Sequence, residues 1–215
     1  MYNNQERGSG HNFNRVALVG KFEAPFQYDH SVQDEVIFST YIQVRRTSGT
    51  IDRIPVCIKE KYLESAPSNM YDKKVRFEGI IISARRNNKN ILCVKIVSEI
   101  TVKDENAEDI NSVFLEGYIS TSPVLRTISD EKSICEFKMF FNRAYGKKCS
   151  NVPVITWNQC ARAVSTKHIG TKVFVFARFQ SRKTIERVED GIAVEQEVYE
   201  LSAYKLTFNG RGHMF

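Results

Sequence analysis

The sequence predicts an all-β protein with short helices, built from two tandem Greek-key barrels. Two observations carry this prediction. The 215-residue chain repeats itself at an offset of 97 to 98 residues, and each repeat has the same order of strands around one short helix. Hydrophobic residues make up 42% of the chain and charged residues 26%, which is ordinary for a globular protein and excludes wholesale disorder. No stretch approaches ~18 consecutive apolar residues, so a membrane span is not expected.

The repeat is carried by short matches that occur in the same order in both halves. Residues 14–20 read NRVALVG and residues 111–117 read NSVFLEG, at an offset of 97. Three further matches keep this offset to within one residue: 46–49 with 143–146, 54–56 with 152–154, and Ser83 with Ser181. Four matches in one order over ~90 residues are hard to obtain by chance, so the sequence indicates two homologous domains.

The domains are predicted from the repeat and from an acidic run between its copies. The predicted division is a flexible N-terminal tail over 1–12, a first domain over 13–103, a linker over 104–110, a second domain over 111–208 and a C-terminal tail over 209–215. Residues 1–103 hold 16 basic and 11 acidic residues, and residues 110–208 hold 14 and 10, whereas 104–109 hold four acids and no base. Both halves are therefore basic, which permits a nucleic-acid partner.

Each copy is predicted to contain five strands and one helix. In the first copy the strands cover 14–20, 36–46, 53–59, 73–83 and 90–102, with a short helix inside 59–68. In the second they cover 111–120, 133–143, 151–157, 171–183 and 193–208, with an amphipathic helix over 158–169 stopped by Gly170. Three strands, a helix and two strands in ~95 residues is the order of an OB-fold, a small Greek-key barrel.

The cysteines, the N-terminus and the histidines exclude several classes of protein. Five cysteines form an odd, scattered set without a CxxC pair, which argues against a disulfide framework and a zinc site and suits a reducing cytoplasm. Residues 1–14 are polar and lack an apolar signal-peptide core. No GxxxxGK[ST] or GxGxxG motif occurs, and the four histidines are far apart. We therefore expect neither an enzyme nor a metal or cofactor.

Basic residues interleaved with aromatic ones on strands predict a surface for single-stranded nucleic acid, which needs cations for phosphates and flat rings for bases. Side chains alternate between the two faces of a strand, so Cys135, Phe137, Met139 and Phe141 are assigned to the core and Lys138 and Phe140 to the outside. The full set of candidate contacts is Tyr41, Arg45, Arg46, Arg53, Lys74, Arg76, Arg126, Lys138, Phe140, Arg143, Tyr145, Lys147, Lys148, Trp157, Arg178, Arg182 and Lys183.

Three of the outward aromatic residues have a second interpretation. Phe174 and Phe176 point away from the core face of their strand, where they fit a subunit or domain interface as well as a ligand. Trp157, the only tryptophan, ends the third strand of the second copy and is either a core residue or a stacking platform. The first copy has fewer outward aromatics, so we expect weaker base stacking from it.

The second copy resembles the bacterial single-stranded DNA-binding proteins and their relatives, the primosomal replication proteins. The resemblance is carried by the opening strand 111–117, by residues 122–127 (SPVLRT), by residues 137–143 (FKMFFNR) and by the later segments 154–161, 170–173 and 177–182. It covers about 95 residues, and the spacing agrees as well as the residues; the first copy matches more loosely. Trp157 falls on an aromatic position of the family, whereas Asn151 and Thr184 stand where the family usually has aromatic residues.

The resemblance implies an OB-fold that binds single-stranded DNA without catalysis, in the cytoplasm at the nucleoid. Family members usually have one barrel per chain and assemble four, so two barrels per chain imply a homodimer presenting four. The acidic tip through which family members recruit replication and repair proteins has no match in residues 209–215.

Two functions therefore remain open. The first is largely sequence-independent binding of single-stranded DNA in replication, recombination or repair. The second is a protein-interaction or assembly module that kept the barrel and lost DNA binding, which the absent aromatics at Asn151 and Thr184 favour. They are distinguished by whether Phe140, Trp157 and nearby cations share one open surface.

Overall fold

The computed structural model describes residues 13–86, 89–142, 148–187 and 193–208, and these form thirteen strands and two helices. The elements of the first half are β1 (Asn14–Phe22), β2 (Gln27–Val32), β3 (Glu35–Arg45), β4 (Ile51–Lys59), α1 (Glu60–Glu64), β5 (Lys74–Arg86), β6 (Lys89–Ile96) and β7 (Thr101–Lys103). Those of the second half are β8 (Ile110–Ile119), β9 (Val124–Ser129), β10 (Lys132–Asn142), β11 (Lys148–Trp157), α2 (Asn158–Ser165), β12 (Lys172–Arg187) and β13 (Ala193–Phe208).

The strands close into two barrels with the same order. In the first barrel β1 pairs with β5, β5 with β6, β6 with β4, β4 with β3, and β3 with β1 again. The second barrel repeats this circuit as β8, β12, β13, β11 and β10. In each circuit one pair, β4 with β6 or β11 with β13, is parallel, as a Greek-key connection requires. The predicted fold class is confirmed, whereas the exact domain boundaries stay a prediction.

Several predicted elements differ from the observed ones. The strands β2 and β9 were not expected; they form hairpins with β3 and β10, and nearly all their residues are exposed, so no alternation of apolar residues marks them. The strand predicted over 90–102 is wrong beyond Ile96, because the chain leaves the ladder there and pairs again with β5 as β7. The helix α2 ends at Ser165, before the predicted end at residue 169.

Each barrel interior is filled by the inward side chains of its strands. Leu18, Ile42 and Phe77 are fully buried or nearly so in the first barrel, and Leu115 and Phe179 in the second. The inward residues predicted for β10, namely Cys135, Phe137, Met139 and Phe141, are buried as expected. Burial of each large apolar side chain contributes about 1.5–3 kcal/mol.

The two barrels join along their first strands. β1 pairs with β8 antiparallel, with Asn14 opposite Leu115, Val16 opposite Val113 and Leu18 opposite Asn111. Because the repeat offset is 97, this register is symmetric about the pair Val16–Val113, like the isologous contact of a two-fold dimer. The sequence repeat therefore corresponds to a two-fold relation between the barrels.

One asparagine in each copy makes the same pair of backbone contacts. The Asn14 side chain donates to the Ile81 carbonyl at 2.9 Å and accepts from the Ile81 N–H at 2.8 Å. The Asn111 side chain does the same with Phe179, at 2.7 and 2.8 Å. The side-chain amide thus extends the ladder of β1 with β5, or of β8 with β12, beyond its last backbone pair, which accounts for the asparagine that opens both copies.

In each barrel a glycine allows two strands, β1 and β3 or β8 and β10, to cross at short distance. A Cβ on Gly20 would lie 2.3 Å from the Gln43 carbonyl oxygen, and one on Gly117 would lie 2.5 Å from that of Phe140. Both distances are far inside van der Waals contact, so only glycine fits. The side chains beside these crossings, Lys21 and Gln43 in one barrel and Tyr118 and Phe140 in the other, therefore project outward from equivalent places.

Candidate nucleic-acid interface

The outward side chains of β8, β10 and β11 form one continuous surface on the second barrel. In the ladder, Phe140 pairs with Tyr118 of β8, and Lys138 and Ile134 pair with Pro153 and Trp157 of β11. Since the inward residues of β10 are buried, these partners lie on the opposite, solvent-facing side. We call this the β10–β11 surface and define it by Tyr118, Lys132, Lys138, Phe140 and Trp157.

One end of the β10–β11 surface carries a pair of stacked aromatic rings. Tyr118 and Phe140 are both half-buried, with ring centroids 5.4 Å apart and planes 21° apart. Phe140 was a predicted contact, whereas Tyr118 was missed. The alternation of β8 contains the missing signal, because Val113, Leu115 and Ile119 are buried and Tyr118 falls on the other face.

The other end of the β10–β11 surface carries Trp157. The indole is half-buried, and its N–H donates to the Ser202 hydroxyl at 3.4 Å, which fixes the ring at the end of β11. The Lys132 ammonium lies 5.0 Å from the ring centroid, in cation–π range. The parallel register of β11 with β13 runs to Thr156 opposite Ala203, which places Tyr204, 62% exposed, next to Trp157. Lys132 and Tyr204 were not among the predicted residues.

Between the two ends lie an exposed lysine, Lys138, and an acidic residue, Glu136, whose ladder partner Ile155 is only 7% exposed. Lys138 is exposed, and within the described ranges it forms no ion pair. Arg126 of β9 lies 3.4 Å from Glu136, a pair whose arginine side chain is 63% exposed and which contributes at most about 1 kcal/mol. Phe140 is six positions after Ile134, which pairs with Trp157, so the two ends are about 20 Å apart along the strand at ~3.4 Å per residue.

Part of the predicted site falls outside the described residues. Arg143, Tyr145 and Lys147 lie in the segment 143–147, and the side chains of Lys148 and Asn151 belong to the neighbouring stretch whose side chains are not described. These residues stay predictions of the sequence.

Two predicted arginines of the first barrel are held in ion pairs. Arg46 donates from Nε and Nη2 to the Asp52 carboxylate at 2.8 and 2.5 Å, and Asp52 is fully buried. The hydrogen bond to Asp52 raises the pKa of Arg46. Arg53 pairs with Glu23 at 2.6 Å and, across to the second barrel, with Glu197 at 2.9 Å. These side chains connect elements of the fold.

Tyr41 belongs to the same arrangement. The Arg53 guanidinium carbon lies 3.4 Å from the centroid of the Tyr41 ring, so the cation covers one face of the ring. Hydrogen bonds to Glu23 and then Glu197 raise the pKa of Arg53, although its burial opposes this. The structure thus brings the predicted residues Tyr41 and Arg53 together with two carboxylates, as a connection between barrels.

The predicted cations of β12 face the first barrel or pair within their own sheet. Burial and then the nearby Arg46 charge lower the pKa of Arg178, whose Nη2 donates to Gln180 at 3.4 Å. Arg182 lies 3.2 Å from Glu200, which is 7% exposed. Lys183 and Glu195 form a solvated pair at 3.2 Å. None of the three lies on the strands β8, β10 and β11 that form the β10–β11 surface.

The remaining predicted cations of the first barrel lie near the linker. Lys74 contacts Asp109 at 2.7 Å and donates to the Ala107 carbonyl at 2.6 Å. The backbone N–H of Arg45 donates to the other Asp109 oxygen at 2.6 Å. Arg76 is exposed on β5.

Phe174 and Phe176 lie in a separate aromatic patch on the outward face of β8 and β12. The Phe114 ring stacks with Phe176 at 4.7 Å and with Phe174 at 6.3 Å, and Phe13 lies 5.3 Å away. Lys172 and Lys205 each approach one of these rings to 5.4 Å. We call these four phenylalanines the Phe114 patch.

Other kinds of site receive no support from the described residues. Over the described ranges, no group of three or more His, Cys, Asp or Glu side chains is arranged to hold a metal ion. Cys57, Cys93, Cys135 and Cys160 are buried and none of these four forms a disulfide, and burial raises the pKa of the Cys135 thiol to about 11. Among the helices described, none is long and apolar enough to cross a membrane.

Comparisons with known proteins point to one family. Residues 110–209 match the model of the Single-strand binding protein family. Wild-type single-stranded DNA binding protein from Thermus aquaticus is 17% identical, with a TM-score of 0.68 over 94% of this chain and 95% of that chain. A deletion variant of it is 16% identical, with a TM-score of 0.67 over 94% and 97%. At this identity the likeness shows the fold.

A third solved structure covers one half of the chain. The N-terminal domain of PriB from Thermoanaerobacter tencongensis, described as dimeric, is 33% identical over 43% of this chain and 98% of that chain, with a TM-score of 0.37. No curated protein matches the chain.

Proposed function

The chain belongs to the single-strand binding protein family through residues 110–209, and on this premise we propose that it binds single-stranded DNA, largely without sequence preference and without catalysis. The observation that carries the proposal is the β10–β11 surface, on which Tyr118, Phe140 and Trp157 share one solvent-facing side with Lys132 and Lys138. Aromatic rings stack on bases of any sequence, and lysines contact phosphates.

Each part of the surface has a role in this proposal. The stacked Tyr118–Phe140 pair and the Trp157 ring would take bases at two places about 20 Å apart, and Lys138 between them would contact the backbone. Arg126, Arg143, Tyr145, Lys147 and Lys148 are proposed as further contacts along β9 and the 143–148 segment. Arg46, Arg53, Arg178 and Arg182 are assigned to holding the fold, because each pairs with a carboxylate or is desolvated.

The proposed cellular role is protection or organisation of single-stranded DNA in replication, recombination or repair, in the cytoplasm at the nucleoid. The second candidate is a protein-interaction module with weak or no DNA binding. It is favoured by the ion pairs that engage most predicted cations of the first barrel. The shared solvent-facing side of Phe140, Lys138 and Trp157 favours DNA binding.

The test of DNA binding is a titration of the protein with fluorescein-labelled oligo-dT of about 35 nucleotides, followed by anisotropy and by Trp157 fluorescence. We expect tight binding that weakens steeply with salt, with a slope of log K against log salt near −0.7 per phosphate contact. Trp157 is the only tryptophan, so its quenching reports stacking directly. A duplex of equal length is the control, and absent or micromolar binding at low salt supports the interaction module instead.

We also propose that two chains associate through the Phe114 patch to present four barrels. Phe174 and Phe176 are half-buried and Phe13 is 47% exposed, so the patch offers stacked rings on an open sheet face. A dimer covering it would remove this apolar area from water, which is the main driving force of association.

Light scattering during gel filtration tests the association. The expected mass is twice the 24.7 kDa of one chain. Phe176→Lys places a charge in the patch and should return the mass to one chain. Phe140→Lys, a matched change outside the patch, should leave it unchanged. A wild-type protein with the mass of one chain contradicts the proposed dimer.

A further inference from the structure

The acidic segment between the barrels is bound to cations of the first barrel. Glu105 lies 2.8 Å from the Lys21 ammonium, and Asp109 lies 2.7 Å from that of Lys74 while also accepting the Arg45 N–H. The hydrogen bond from Lys21 lowers the pKa of Glu105, so this carboxylate is ionised at neutral pH. We call residues 104–109 the acidic segment.

The place that the acidic segment covers is equivalent to the aromatic end of the β10–β11 surface. On the first barrel Lys21 pairs with Gln43, at the crossing of β1 and β3. At the repeat offset of 97 these two positions correspond to Tyr118 and Phe140, which pair at the crossing of β8 and β10. The first barrel thus has a cation and an amide where the second has two stacked rings.

A cavity remains between the acidic segment and the barrel. It has a volume of about 290 Å³ and is lined by one apolar residue, Ile51, and by the polar residues Lys21, Gln43, Arg45, Lys74, Glu105 and Asp109. Two lysine ammonium groups and a backbone N–H converge here on carboxylates supplied by the chain itself. These donors suit any oxyanion, phosphate included.

We propose that this cavity is a second binding site for the phosphates of single-stranded DNA, and that Glu105 occupies it until a strand displaces the carboxylate. The inference rests on the proposed function and adds an asymmetry to it. The second barrel is open and stacks bases, whereas the first is closed by the acidic segment and binds phosphates only after exchange.

The two contacts of the acidic segment differ in how readily they exchange. The Lys21 and Glu105 side chains are 47% and 46% exposed, and such a pair contributes little in water. Lys74 and Asp109 are only 19% and 12% exposed, and Asp109 also holds a backbone N–H. Asp109 is therefore the anchor, and Glu105 is the group that moves.

Two variants of equal charge test the proposal. Glu105→Gln removes the carboxylate over Lys21, whereas Glu108→Gln removes an exposed carboxylate for which no ion pair is found among the described residues. We expect Glu105→Gln to tighten binding of the 35-nucleotide oligo-dT about 2- to 5-fold, the range of an exposed ion pair. Its salt slope should steepen by at most about 0.7, the value for one phosphate contact, because salt no longer weakens a competing Lys21–Glu105 pair. Glu108→Gln should change neither by a comparable amount.

Oligo-dT of about 10 nucleotides, which fits one barrel, shows which barrel is responsible for the tighter binding. Glu105→Gln should bind a second short oligonucleotide at lower concentration than wild type does. Adding Lys21→Gln to Glu105→Gln should abolish the gain, because the phosphate then has no ammonium to meet.

The outcomes separate this inference from the proposed function. If wild type binds oligo-dT with Trp157 quenched but Glu105→Gln and Glu108→Gln behave alike, the inference is overturned and DNA binding stands. A gain that survives Lys21→Gln also overturns it. If neither wild type nor variants bind, both proposals fail together.

Discussion

Replacing Asp52 with alanine is expected to lower the free energy of unfolding by about 3–5 kcal/mol, the cost of removing one partner from a buried ion pair. Asp52 is fully buried and accepts two bonds from Arg46, whose side chain is 21% exposed. It also accepts the Ser181 N–H of the second barrel at 3.2 Å. Its loss leaves Arg46 near the half-buried Arg178 charge without the carboxylate to which it is hydrogen-bonded.

Urea unfolding followed by far-UV circular dichroism and by Trp157 fluorescence measures this effect. Glu195→Ala is the matched control, since it removes a carboxylate from the pair with Lys183, whose side chains are 72% and 60% exposed. The control should change the free energy by less than about 1 kcal/mol. An Asp52→Ala protein as stable as the control would show that the buried Arg46–Asp52 pair does not stabilise the fold.

Replacing Trp157 with leucine is expected to weaken binding of oligo-dT by about 5- to 150-fold, because base stacking on one aromatic ring is worth about 1–3 kcal/mol. Leucine keeps an apolar side chain at the end of β11 but has no flat face for a base or for the Lys132 ammonium. Trp157→Phe keeps such a face, and we expect its affinity to stay within about 3-fold of wild type.

Anisotropy of the labelled oligonucleotide measures both variants, since neither retains tryptophan fluorescence. A thermal melt of each shows whether the fold is kept, because Trp157 is half-buried and bonded to Ser202. Equal affinities of the leucine and phenylalanine variants would mean that Trp157 does not stack on bases.

Sequence reasoning succeeded where the information is local. Alternation along β10 places Phe137 and Met139 inside and Lys138 and Phe140 outside, because consecutive side chains on a strand point to opposite faces. The repeat predicted two barrels of the same strand order, because homologous segments repeat their strand pairing.

Sequence-based prediction failed where two interacting side chains come from distant parts of the chain. Arg53 meets Glu197 144 residues away, and Asp52 meets Ser181 129 residues away, so neither ion pair nor hydrogen bond is visible in a local pattern. Arg53, which was predicted from the sequence to contact nucleic acid, therefore connects the two barrels in the structure. Alternation along β8 places Tyr118 outside, but its pairing with Phe140 depends on the register of β8 against β10, which a local pattern does not give.

The hairpin strands were missed for a different reason. β9 is exposed along its whole length, and β2 nearly so, and a strand without a buried face leaves no period-two pattern of apolar residues. Their pairing with β3 and β10 is a consequence of the turn and of the edge that the neighbouring strand offers.

Photo-crosslinking measures directly where a single strand of DNA lies on the protein. Oligo-dT carrying 5-iodouracil is bound to wild-type protein, irradiated and digested, and the attached peptides are identified by mass spectrometry. We predict attachment at Trp157 and at Tyr118 or Phe140, about 20 Å apart along the β10–β11 surface. Attachment only at Phe174 or Phe176 of the Phe114 patch would contradict it.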